Sequence, residues 1–72
     1  MDNTKETLSG YIKAIIPNRG YGFITSDAGV DYFFHAVGVI EPAFDQLREG
    51  QPVDFLSTDG QKGPKAIGVT LK

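Results

Sequence analysis

Arg19-Gly20-Tyr21-Gly22-Phe23-Ile24 and Asp31-Tyr32-Phe33-Phe34-His35 are the two segments that decide the reading of this chain. Both are rich in residues that favour strands, and Asp27-Ala28-Gly29 between them has the composition of a tight turn. The pair therefore predicts a β-hairpin. Successive side chains of a strand point to opposite faces, so Arg19, Tyr21 and Phe23 share one face while Gly20 and Gly22 share the other. The turn sets a register in which Phe23 faces Phe33 and Tyr21 faces His35, gathering four rings into one patch. Glycine inside a strand is costly, and on the inner face it leaves no side chain to pack. The pattern thus predicts rings placed for binding, and exposed rings side by side stack on unpaired bases.

Working outward, Leu8 to Ile16 is strand one, with Gly10 as a bulge or bend, and Pro17-Asn18 breaks it. Strand two covers Gly20 to Thr25 and strand three Asp31 to Ala36. The strand signal fails from Val37 to Gly50, a long loop in which Pro42 precedes one short helical turn. Val53 and Phe55 alternate with Asp54 in strand four, Gln51 to Ser57. Thr58 to Gly63 is a turn cluster, and Pro64 to Leu71 forms strand five. Residues 1–7 are polar and without period, a frayed start. So few residues cannot build a sandwich with covered edges. The expected class is all-β, a five-stranded antiparallel barrel of the oligonucleotide-binding type, or OB fold.

The 72 residues form a single domain spanning 1–72, small enough that its stability should be modest. With no cysteine and one histidine there is no disulfide framework and no structural zinc, so no metal or cofactor is expected. No secretory leader pattern and no apolar run approaching ~20 residues is present, which predicts a soluble, cytoplasmic chain off the membrane. A monomer is the default. The net charge of −2 argues against indiscriminate polyanion binding. Its distribution is uneven: Lys13, Arg19, Lys62 and Lys65 flank the aromatic segments, and Glu41, Asp45 and Glu49 lie mid-chain. Those cations read either as solvated surface charge or, beside a stacking patch, as phosphate contacts. Catalysis is not expected. No motif sets Ser9, Ser26 or Ser57 beside His35, there is no phosphate-cradling glycine loop, and Asp27 and Asp31 merely bracket a turn.

Gly20-Tyr21-Gly22-Phe23-Ile24 resembles the first ribonucleoprotein motif of cold-shock domains, and Asp31 to His35 resembles the second. Gly10-Tyr11-Ile12-Lys13, Leu47 to Val53 and Lys62 to Ala66 are similar to the family's opening strand and to the starts of its last two strands. The resemblance implies a five-stranded barrel that binds single-stranded RNA and DNA, with loose sequence preference favouring pyrimidines, as an RNA chaperone or regulator. It implies stacking by Tyr21, Phe23, Phe33 and His35, a further aromatic at Phe44, and basic contacts at Lys13, Arg19 and Lys62. Ile24 and Phe34 match inward-facing core positions.

The departures carry equal weight. Where the family has Lys-Trp-Phe-Asn, this chain reads Lys13-Ala14-Ile15-Ile16, and Ala36 stands where a phenylalanine is common. Two stacking platforms are missing. At about 1–3 kcal/mol per stacked base, their loss weakens binding by about 2–6 kcal/mol if the two add. Tyr32 sits where the family is aliphatic, so its hydroxyl needs water or a partner. The alternative function is a barrel that has exchanged nucleic acid for a protein partner, meeting it through Ile15, Ile16 and Tyr21.

Overall fold

The computed structural model of the chain describes residues 7–41, 44–60 and 63–72. Six strands follow in order: β1 (Thr7–Ile16), β2 (Tyr21–Ser26), β3 (Asp31–His35), β4 (Val39–Glu41), β5 (Pro52–Gly60) and β6 (Gly63–Leu71). Single 3-10 turns lie at Pro17–Arg19, Ala36–Gly38 and Phe44–Gln46, and no α-helix is present among the described residues. β1 begins one residue earlier than expected, at Thr7; residues 1–6, the rest of the expected frayed start, lie outside the described residues. The turn expected at 58–63 is shorter, because β5 continues to Gly60 and β6 begins at Gly63.

The strands form one sheet in the order β3-β2-β1-β5-β6-β4, closed on itself by pairing of β3 with β6. The five longer strands make the barrel, and β4 adds a short stretch beside β6. Four neighbouring pairs around the ring are antiparallel, but the β3–β6 seam is parallel, as is the β4–β6 pairing. The expectation of an antiparallel barrel needs that correction. Directions cannot alternate around a closed ring with an odd number of strands, so one seam must be parallel.

β2 shows how the sequence chooses its faces. Gly22, Ile24 and Ser26 are buried, while Tyr21, Phe23 and Thr25 alternate with them on the outside. Across the hairpin the register pairs Tyr21 with His35, Phe23 with Phe33 and Ile24 with Tyr32, as the turn predicts. Buried Ser26 locks the turn: its N–H donates to the Val30 carbonyl at 2.8 Å, and its hydroxyl accepts the Val30 N–H at 3.2 Å.

The core comprises Ile12, Ile24, Phe34, Leu47, Val53, Phe55, Ala66 and Val69, with Leu8, Ile15, Tyr32, Val39 and Phe44 packed around it. Ile24 and Phe34 are fully buried, as the family resemblance implied, and each such side chain stabilises the fold by about 1.5–3 kcal/mol. Tyr32 is half-buried, its ring 5.1 Å from that of Phe55.

The glycines are used differently from the sequence reading. A Cβ on Gly22 would stand 2.5 Å from the Ala14 carbonyl oxygen and 2.9 Å from the Phe34 ring. Gly22 therefore makes room for the buried ring of Phe34, a packing role. Gly20 lies outside the strand, capping the Pro17–Arg19 turn at φ 73°, in the left-handed region that favours glycine. Arg19, expected on the strand, ends that turn instead. The bulge of β1 is at Lys13, where the pairing steps from Ile12–Ile24 to Ala14–Phe23. At the expected position, Gly10, the ladder is regular and the backbone of Thr25 lies too close for a side chain.

Candidate nucleic-acid interface

The bulge arranges the outer face. An extra residue in one strand reverses the alternation beyond it, so Ile12 points inward opposite Ile24 and Ala14 points outward opposite Phe23. Rows of directly paired residues then cross the strands. One runs Ala14, Phe23, Phe33, Lys65 over β1, β2, β3 and β6; the next runs Ile16, Tyr21, His35.

Three rings at the centre of these rows support one another. Tyr21 and Phe33 lie 5.3 Å apart between centroids, Phe23 and Phe33 6.0 Å, and Tyr21 and Phe23 6.1 Å, with edge-on or tilted planes. Each ring is half-buried, so mutual contact fixes its orientation while the outer side stays open to a ligand. His35 is exposed beside Tyr21, and its Nδ1 accepts the Val37 N–H over 3.4 Å, at the long end of hydrogen bonding. That contact suits the tautomer with its proton on Nε2. Val37 itself is 87 % exposed, the most open large apolar residue among those described.

The basic residues divide. Arg19 is exposed on its turn, next to Gly20. Lys13 is already engaged: its Nζ donates to Asp31 Oδ2 at 2.7 Å, and the Thr25 hydroxyl donates to Asp31 Oδ1 at 2.8 Å. The hydrogen bond from Lys13, with that from Thr25, holds the Asp31 carboxyl below the usual carboxylate range. The hydrogen bond to Asp31, with its charge, raises the Lys13 ammonium above its ordinary value. Asp31 thus sits in an ion pair with Lys13, buttressed by Thr25. Lys62 lies outside the described residues.

Phe44 stands apart from the rows. Its ring packs edge-on against Phe34, centroids 6.0 Å apart, and pins the loop after β4 to the core. Ile15, paired with Gly22, also packs on the core, leaving Ile16 beside Tyr21. Sequence reasoning did not find the adjacency of Lys65 to Phe33, made by a parallel seam between segments remote in sequence, nor the capture of Lys13 by Asp31.

The family described as the "'Cold-shock' DNA-binding domain" matches this chain over residues 8–72. The chain belongs to the cold-shock domain family. Among curated relatives of this cold-shock domain is the "Cold shock-like protein" of Thermotoga maritima, 42% identical over 64 residues, covering 89% of this chain and 97% of the relative. The "Cold shock-like protein CspC" of Escherichia coli is also 42% identical, covering 88% of this chain and 93% of its own length. The "Cold shock protein CapB" of Pseudomonas syringae pv. tomato is 41% identical, covering 88% and 91%. Family membership makes this a domain of nucleic-acid-binding type. Among the described residues, no group of three or more histidines, cysteines or carboxylates is placed to hold a metal, and no helix is long and apolar enough to cross a membrane.

Proposed function

We propose that this cold-shock domain holds single-stranded RNA or DNA open, as an RNA chaperone or a regulator of transcription or translation, by stacking unpaired bases on Tyr21, Phe23, Phe33 and His35. The observation that carries the reading is the cluster of three mutually supported, half-open rings on the barrel's outer face. Stacking accepts every base because each has a π-face, and a preference for pyrimidines is the family's expectation. Arg19 and those lysines not already held by a carboxylate supply phosphate contacts; Phe44 anchors the loop after β4 to the core. Holding strands open needs only that bound bases be unpaired, so it works by mass action without turnover, in the cytoplasm. Ala14 at the β1 end of the central row offers no ring, and affinity is accordingly weaker than a full set of platforms would give.

A second reading, a barrel that binds a protein, draws on the net charge of −2 and the two alanines. Its apolar patch is reduced, because Ile15 packs inward and only Ile16 accompanies Tyr21.

Fluorescence anisotropy with labelled heptathymidylate and heptauridylate separates the two. Stacking predicts saturable binding that Phe23→Ala/Phe33→Ala removes while the fold persists by circular dichroism. No binding by the wild type even at low salt, with a protein recovered specifically on the Tyr21 face, sinks the nucleic-acid reading.

A further inference from the structure

We propose that Lys65, and not Lys13, is the cation of the aromatic face that holds a ligand phosphate, so that the bound strand lies over β2 and β3 toward β6. This rests on the single-strand-binding reading above and assigns its electrostatic half. The parallel seam pairs Lys65 directly with Phe33, and directly paired residues of neighbouring strands project from the same face. Lys65 is therefore the fourth member of the row Ala14, Phe23, Phe33, Lys65. Among the described side chains no carboxylate lies within ion-pair distance of its ammonium. Its side chain is half-buried, the usual state of a lysine whose stem lies on apolar surface while its head stays in water.

Lys13, at the other side of the face, is satisfied. Both oxygens of Asp31 are occupied, one by Lys13 and one by Thr25, which keeps the carboxylate in place against the ammonium. A phosphate reaching Lys13 would only exchange one anion for another and leave the displaced carboxylate beside it. Affinity for the phosphate backbone comes from releasing condensed counterions, and a cation already neutralised by its own protein contributes little to that release. The β1 end of the row also ends in Ala14, without a ring to draw a base there. Stacking surface and free charge coincide at the β3–β6 seam.

The test is the salt dependence of heptauridylate binding. For single strands, each phosphate neutralised adds about 0.7 to the slope of log K against log salt. Lys65→Gln should lower the slope by about 0.7 and Lys65→Arg should restore it. Lys13→Gln/Asp31→Asn, which deletes the ion pair without leaving a lone charge, should leave it unchanged. Asp31→Asn alone should raise the slope by about 0.7, because it frees Lys13 for the ligand. A wild-type slope in Lys65→Gln, or a reduced slope in the double variant, overturns the assignment while wild-type binding keeps the stacking reading standing. Absence of wild-type binding overturns both.

Discussion

Replacing Gly22 with alanine tests how tightly the core and the aromatic face are joined. The new Cβ would sit 2.5 Å from the Ala14 carbonyl oxygen and 2.9 Å from two carbons of the Phe34 ring. The first contact is nearly an ångström short of ordinary packing and involves backbone, which cannot swing aside as a side-chain tip can. Either β1 moves away from β2 where Ala14 meets Phe23, or Phe34 turns within a core in which it is fully buried. Overpacking of this kind costs about 1–3 kcal/mol. Because the nearest atom is backbone, the cost falls in the upper half of that range, about 2–3 kcal/mol; alanine recovers about 0.5–1 kcal/mol of backbone entropy, so the net destabilisation is about 1–2.5 kcal/mol. In a domain of this size that lowers Tm by roughly 4–20 °C. The assay is thermal unfolding by circular dichroism, with Gly38→Ala as the control. A Cβ there meets nothing closer than 3.6 Å, so the same entropy gain stands unopposed and its melting temperature should equal the wild type's or lie a few degrees above it. A Gly22→Ala protein that melts with the wild type would refute the close packing of Phe34 under the binding face.

Ala14→Trp should add a platform beside Phe23 and tighten heptauridylate binding by about 1–3 kcal/mol, roughly 5-fold to 150-fold in Kd by anisotropy. Phe44→Ala should lower stability by about 1–3 kcal/mol in urea unfolding while changing the affinity of the folded protein less than about 3-fold, because the ring packs on Phe34. The Asp31 carboxyl is held low in the folded chain, so its pair with Lys13 stabilises fully above the ordinary aspartate value of about 3.9. That contribution is lost as pH falls through the depressed folded value. Urea unfolding between pH 5 and 2 should show wild type and Asp31→Asn converging toward the acid end; because the pair is exposed the difference is small, and a constant gap would contradict the linkage.

The hairpin was legible because it is local. A short turn between two β-rich segments sets which residues face each other, and Phe23 with Phe33 and Tyr21 with His35 follow from it. What escaped the sequence depends on partners far along the chain. In a lone strand Gly10 is the natural place for a bulge; that it falls at Lys13 is decided by β2 and β5, which pair with opposite sides of β1. That same bulge brings Lys13 to Asp31, eighteen residues away. Lys65 is plainly a cation in the sequence, but its place next to Phe33 exists only once the barrel closes through its parallel seam. Gly20 and Gly22 look alike in the sequence, yet one caps a 3-10 turn and the other admits a phenylalanine ring. The alternation that links them carries no sign of the difference.

The central claim, that bases stack on the outer face of β2 and β3, is tested most directly by the proton resonances of the rings themselves during titration with heptauridylate. Stacked bases shift nearby ring protons upfield, so the account predicts saturable upfield shifts for Tyr21, Phe23, Phe33 and His35, with Phe55 in the core unmoved. Saturable binding that leaves those four rings unchanged would contradict it.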